Sequence, residues 1–267
     1  RPDDGTIVAE ASINFDQHLG KRYGVTNGVL DLGGGVVHSA PLMWVEALDL
    51  LLERLRAEGA DLAAVRALAG SGQQHGTVYL EAGAGAALST LRGDRPLAGQ
   101  LEGIFARATA PVWMDTSTTA QCRQIEAAVG GRQRLLELTG NTAFERFSGP
   151  QIRKFHQTEP EGYARTAHIC LVSSFMASVL AGGVVPVDPG DGSGTNLMDI
   201  RARAWSPAAL AATAPGLEDR LAPVTPATRV AGPVSPYFVA RHGFSPECVV
   251  VPFSGDNPCS LIGSGMR

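Results

Sequence analysis

The sequence predicts an α/β fold. Short apolar segments of strand length alternate with segments whose apolar residues recur every three or four positions, and no internal repeat of fixed period underlies that alternation. The chain has 267 residues, 44% hydrophobic and 18% charged, enough for one large domain or two small ones with a sizeable core.

The elements follow in order. Residues 6–14 alternate weakly and read as a strand, with Gly5-Thr6-Ile7-Val8-Ala9 as the inside of a β-hairpin whose first strand would precede the chain. A loop follows through Gly33-Gly34-Gly35. From Ser39 the period changes: Val45, Leu48, Leu52 and Leu55 share one face, with Glu46, Asp49, Glu53 and Arg56 on others, which predicts an amphipathic helix. Ser39 suits its cap, Pro41 its first turn and Gly59 a left-handed end. Residues 65–69 read as a short strand, Gly70-Ser71-Gly72-Gln73-Gln74-His75-Gly76 as a turn, and residues 77–80 as a second strand. Residues 81–102 are rich in Ala, Gly and Leu without period, which predicts a surface excursion. Helices are expected at 118–129, 132–139, 149–158, 161–167 and 173–181, and strands at 168–172 and 249–253.

Charge and cysteine usage exclude several classes of function. The net charge is −4 and Lys and Arg form no cluster, so neither nucleic acid nor an anionic membrane is expected as partner. No run approaches the roughly 18 apolar residues of a membrane helix. Arg1-Pro2-Asp3-Asp4 resembles neither a signal nor a transit peptide, which points to a cytoplasmic protein. Cys122, Cys170, Cys248 and Cys259 form no C-x-x-C pair and have no histidine at ligand spacing, so they read as reduced structural thiols and no metal site is expected.

Four places carry polar groups suited to chemistry. Asp256, in Phe253-Ser254-Gly255-Asp256-Asn257-Pro258, ends an apolar strand; Asp-Asn-Pro is a common turn opening, yet the end of such a strand is also where open α/β sheets meet ligands. His75, beside Gln73 and Gln74 and between small residues, is either a structural turn histidine or part of a polyol-binding surface. Arg146, between Phe144 and Phe147, is either a surface partner of Glu145 or a held donor. Asp115 behind Trp113 is a helix cap or a cleft residue. Asp188-Pro189-Gly190-Asp191-Gly192-Ser193-Gly194 fits neither a phosphate loop nor an EF-hand and reads as a tight turn. No G-x-S-x-G surrounds Ser71, Ser193 or Ser254, which removes the nucleophile-elbow hydrolases.

Taken in order, Ser71 to Gly76, Pro111-Val112-Trp113-Met114-Asp115, Leu138-Thr139-Gly140 with Phe144-Glu145-Arg146-Phe147, the stretch from Asp188 through Asp199 to Trp205, and Phe253 to Pro258 resemble the FGGY carbohydrate kinases. Within that family they look most like its xylulose-phosphorylating branch. The resemblance implies an actin-like, ribonuclease-H-like α/β sugar-binding domain lacking its first strand over residues 1–255, and the start of an ATP-binding domain over 256–267. It implies a Mg²⁺-dependent transfer from ATP to the 5-hydroxyl of D-xylulose, with Asp256 as catalytic base. His75, Arg146, Asp256 and Asn257 would hold the sugar, and Arg146 would do so as a rigid fork of donors.

Other readings stay beside this one: a kinase for another ketose or polyol, or a non-catalytic product that binds a sugar or a partner. Many family members carry Trp-x-Asp-x-Arg where Thr116 and Ser117 follow Asp115 here, so no ligand role passes to an arginine there. By the resemblance the chain is truncated at both ends, its ATP and metal residues lie mostly outside it, it does not phosphorylate by itself, and it exposes apolar surface where the first strand would pair.

Overall fold

The computed structural model describes residues 4–266, so the reading of Arg1, Pro2 and Asp3 lies outside the described residues. The amphipathic helix forms as Pro41–Ala57, with Pro41 in its first turn and Met43, Trp44, Val45, Ala47 and Leu52 buried. Ser39 is not its cap. Ala40 holds that position without a side-chain bond, and the Ser39 hydroxyl instead donates to the Gly28 carbonyl at 3.0 Å. Gly59 follows the helix at φ +89°, a conformation cheap only for glycine.

Strand Thr77–Glu81 divides the interior in two. It pairs antiparallel with Thr166–Leu171, and successive side chains leave opposite faces. Val78 and Leu80 enter a core with Trp44, Leu101, Phe175 and Phe238. Tyr79 enters a second core with Ile152, Phe155, Tyr163 and Leu210. Its ring lies 4.3 Å from that of Phe155, over which the Arg107 guanidinium sits at 4.9 Å. Helix Val172–Ala181 starts directly after Leu171 and packs against both this pair and the short strands that lead to the site.

Two short parallel pairs carry the chain toward the site. Ala67–Leu68 runs beside Val249–Val250, and Ser71–Gly72 beside Ser254–Gly255. Between them lie Ala69 and Gly70 on one strand but Val251, Pro252 and Phe253 on the other, a bulge of one residue. A side chain on Gly70 would meet the Phe253 ring at 2.3 Å, and one on Gly72 would meet the Ser173 backbone nitrogen at 2.7 Å. Glycine at both positions is therefore a packing requirement.

Several expectations need correction. Residues 6–14 form no strand; they run exposed as far as Glu10, Ile13 packs half-buried against the core, and Asn14 caps a short helix, Phe15–His18. Residues 81–102 are no surface excursion, because helices Ala84–Ser89 and Leu97–Leu101 bury Ala84, Leu88, Leu97 and Leu101 completely. Gly85 and Gly99 face open space, and the burial rests on Ala84, Leu88, Leu97 and Leu101, too few positions to show a period. The 249–253 strand stops at Val250, before the bulge. The other expected helices form within a few residues of their expected ends, as Thr119–Ala128, Arg132–Thr139, Ser148–Thr158, Pro160–Arg165 and Val172–Ala181. No helix of the described residues is long and apolar enough to cross a membrane.

Gly72→Ala is expected to lower stability by about 1–3 kcal/mol, the usual cost of forcing atoms into a filled core. Urea unfolding measures it, and a midpoint equal to wild type would contradict the close approach of Gly72 to Ser173.

Candidate active site

A cavity of about 640 Å³ opens where four segments converge, and Gln74, His75, Phe144, Arg146, Gly194 and Asn257 are among its lining residues. Gln74 and His75 come from the turn after Ser71–Gly72. Arg146 lies just before helix Ser148–Thr158, Gly194 in the turn after Asp188, and Asn257 in the first turn of helix Asp256–Gly263. The structure thus brings His75, Arg146 and Asn257 to one wall set, with Asp256 tied to Gln74 beside them.

His75 stands at φ +74°, the left-handed region that a non-glycine residue occupies only under constraint. Three contacts hold it there. Its Nδ1 meets the Gly194 carbonyl at 2.8 Å, its ring lies 4.6 Å from that of Phe147, and its carbonyl accepts from the Ser148 hydroxyl at 3.0 Å. A carbonyl only accepts, so Nδ1 carries the proton and Nε2 of the neutral ring is left as an acceptor. Burial holds the imidazole below its ordinary range, and the Arg146 charge adds to that against the opposing pull of Asp256.

Asp256 is the first residue of its helix, where a carboxylate is favoured by the helix dipole. Its Oδ1 accepts from the backbone nitrogens of Gln74 and Asn257, each at 3.0 Å, and Oδ2 has no partner among the described residues. Such a carboxylate is fixed in orientation yet keeps one oxygen free. The Asn257 amide donates to Gln74 Oε1 at 2.7 Å, so Gln74 braces both residues. Asp256 thus opens the helix turn and keeps a free carboxylate oxygen.

Arg146 makes no ion pair with Glu145. Its guanidinium lies 4.6 Å from the centre of the Phe144 ring, a stacking arrangement that leaves its edge donors available. Glu145 is engaged elsewhere, accepting from the Thr119 hydroxyl at 3.0 Å.

Sequence reasoning placed Asp115 at a cap or in the cleft, and it does neither. Fully buried, it accepts from Val37 N, from the Ser117 nitrogen and hydroxyl, and from the Gln151 amide at 2.8 Å, binding the start of strand Val37–Ser39 to helix Ser148–Thr158. The acidic turn at 188–194, read as a plain tight turn, is a short helix, Pro189–Gly192, capped by Asp188. It contributes to the site. Asp188 accepts from the Ser254 hydroxyl at 2.6 Å, Gly194 holds His75, and Asp191 is buried beneath. Only the position of this glycine- and aspartate-rich stretch in the ordered succession of motifs signalled a role. A second cavity, about 610 Å³ and mainly apolar, lies along Gly70 to Gln73 and takes in Trp113 and Phe253.

The family model for the N-terminal domain of the FGGY family of carbohydrate kinases matches residues 108–263. Xylulose kinase of Mus musculus is 50% identical over 258 residues, covering 96% of this chain and 47% of that protein. Xylulose kinase 2 of Arabidopsis thaliana is 50% identical over 260 residues, covering 96% and 46%. The crystal structure of xylulose kinase from Rhodospirillum rubrum matches with a TM-score of 0.74 over 90% of this chain and 44% of that one, at 18% identity, a likeness of fold. The chain spans about half the length of the curated relatives it matches.

His75 takes up a proton less readily in the folded chain than in the unfolded one, as does His38, which burial pushes down to about 4. Both contribute stability that is present above the unfolded imidazole value of about 6.5 and lost as pH falls below it. His75→Gln is expected to flatten the fall in unfolding free energy between pH 7.5 and 5.5. Denaturant titrations at the two pH values give that slope, and an unchanged slope would argue against a buried neutral imidazole.

Proposed function

Since this chain belongs to the FGGY family of carbohydrate kinases, we propose that it supplies the sugar-binding half of an enzyme that transfers the γ-phosphoryl group of ATP to the 5-hydroxyl of D-xylulose, giving D-xylulose 5-phosphate and ADP. The relatives at 50% identity that carry the name xylulose kinase support the substrate. The observation that carries the mechanism is the Asp256 carboxylate, with Oδ1 fixed by two backbone N–H groups and Oδ2 unpaired, beside a cavity lined by His75, Arg146 and Asn257.

The chemistry follows from those groups. As the O5–phosphorus bond forms and the bond to the ADP oxygen breaks, the hydroxyl proton passes to Asp256. In a loose transition state the hydroxyl needs alignment more than early deprotonation, and one fixed carboxylate provides both. His75 Nε2 accepts a sugar hydroxyl, whereas Arg146 and Asn257 donate to sugar oxygens. The sugar is uncharged, so Arg146 acts through directed hydrogen bonds. Residues 1–255 are proposed as the sugar domain and 256–267 as the start of the ATP domain. Mg²⁺ would accompany ATP and neutralise phosphate charge. The described residues contain no cluster of three or more His, Cys, Asp or Glu able to hold a metal ion, and no residue here is assigned to it.

In the full-length protein, Asp256→Asn is expected to lower kcat by about 10²–10⁴, the usual worth of a general base, and to leave sugar affinity within a few-fold. Steady-state kinetics and calorimetric sugar binding decide this, and near-normal turnover would rule out Asp256 as base. Arg146→Lys is expected to raise the sugar KM about tenfold, because a point charge does not reproduce the fork. Assaying D-xylulose beside D-ribulose, L-ribulose and glycerol tests the substrate; transfer to one of the others but not to D-xylulose would overturn it.

A further inference from the structure

We propose that Asp191 is a positioning residue for Asp256 and Asn257, acting through the side chain of Gln74. This rests on the reading of Asp256 as acceptor of the sugar hydroxyl proton. Asp191 is 1% exposed and lies behind the cavity wall without lining it. The Ser173 hydroxyl donates to its Oδ2, and its Oδ1 has no well-formed partner. A side chain on Gly255 would stand 2.8 Å from that Oδ1 and 2.8 Å from Gln74 Nε2, so glycine there lets the carboxyl and the amide share the space under the Gly255–Asp256 peptide.

Gln74 is the connecting part. Its Nε2 also reaches the Gly190 carbonyl at 3.4 Å, its Oε1 accepts from Asn257, and its backbone nitrogen donates to Asp256. Gly190 thus holds, and Asp191 abuts, the Nε2 end of a side chain whose Oε1 holds Asn257, while the backbone nitrogen of the same residue holds Asp256. Burial pushes the Asp191 carboxyl up to about 7, with the Asp188 and Asp256 charges adding to the effect and the Ser173 hydrogen bond opposing it. On the acid side of neutrality it is therefore neutral, which fills the site without adding a charge to those of Asp188 and Asp256.

The test uses the full-length protein with Asp191→Ala, Asp191→Asn, Gln74→Ala and the double variant Asp191→Ala/Gln74→Ala. The Gln74 backbone amide reports its bond to Asp256, and its hydrogen exchange is expected to quicken about tenfold in Asp191→Ala and far less in Asp191→Asn. If Asp191→Ala does not fold, Asp191→Ser is measured in its place. Unchanged exchange at Gln74 would overturn the proposal whether or not the protein phosphorylates a sugar. In turnover, Asp191→Ala is expected to cost at least tenfold in kcat with wild-type background and little in the Gln74→Ala background. Fully multiplicative losses would show that Asp191 acts independently of Gln74 and would also overturn the proposal. A wild-type protein that transfers no phosphate to any sugar would refute the functional reading alone, since the exchange comparison stands by itself.

Discussion

The parallel pairing of Ser71–Gly72 with Ser254–Gly255 is the contact on which the site depends. It brings Gln74 and Asp256, 182 residues apart in sequence, to hydrogen-bonding distance. Closing so long a loop costs entropy that grows only slowly with length, but the cost falls before any local reward. Fit is what secures it. Gly70, Gly72 and Gly255 each occupy a place where one added carbon would strike a ring, a backbone or a side chain. Helix Val172–Ala181 supplies the floor under that crossing, and its own position follows from strand Thr166–Leu171 in the centre of the molecule.

Constraint at the strand ends is passed on to the side chains that face the cavity. His75 holds a left-handed backbone whose cost is of order 1–3 kcal/mol, offset by three contacts to two other segments, one at Gly194 and one at Phe147 and Ser148. The same contacts dictate which imidazole nitrogen carries the proton. Strain and tautomer are two aspects of one arrangement. Asp256 shows the corresponding economy: the helix start that would be a turn in any protein also orients its free oxygen.

Much of this was legible in the residues. Val45, Leu48, Leu52 and Leu55 announced the long helix because one of its faces meets solvent, and Thr77 to Leu80 announced a strand by β-branched and aromatic content. Residues 81–102 were misread because alanine, glycine and leucine bury a helix without leaving a polar face to set the period. Residues 6–14 alternate but lack a partner strand among the described residues, and alternation without pairing makes no sheet. His75 and Arg146 stood out by type and setting and Asn257 through the resemblance alone, and all three line one cavity. Asp191 did not stand out, because its burial is created by Ser173, Gly255 and Gln74, which no local pattern relates to it.

The Phe253 bulge gives the segment before Asp256 a phase. Side chains along a strand alternate faces, so the additional residue between Val250 and Ser254 decides whether the start of helix Asp256–Gly263 is turned toward the cavity or away from it. Exchanging one apolar residue for another there would alter packing by degrees, whereas adding or deleting one would rotate the helix start by half a turn of the pleat. In the stretch between Val250 and Ser254, the number of residues is a more stringent requirement than their identity.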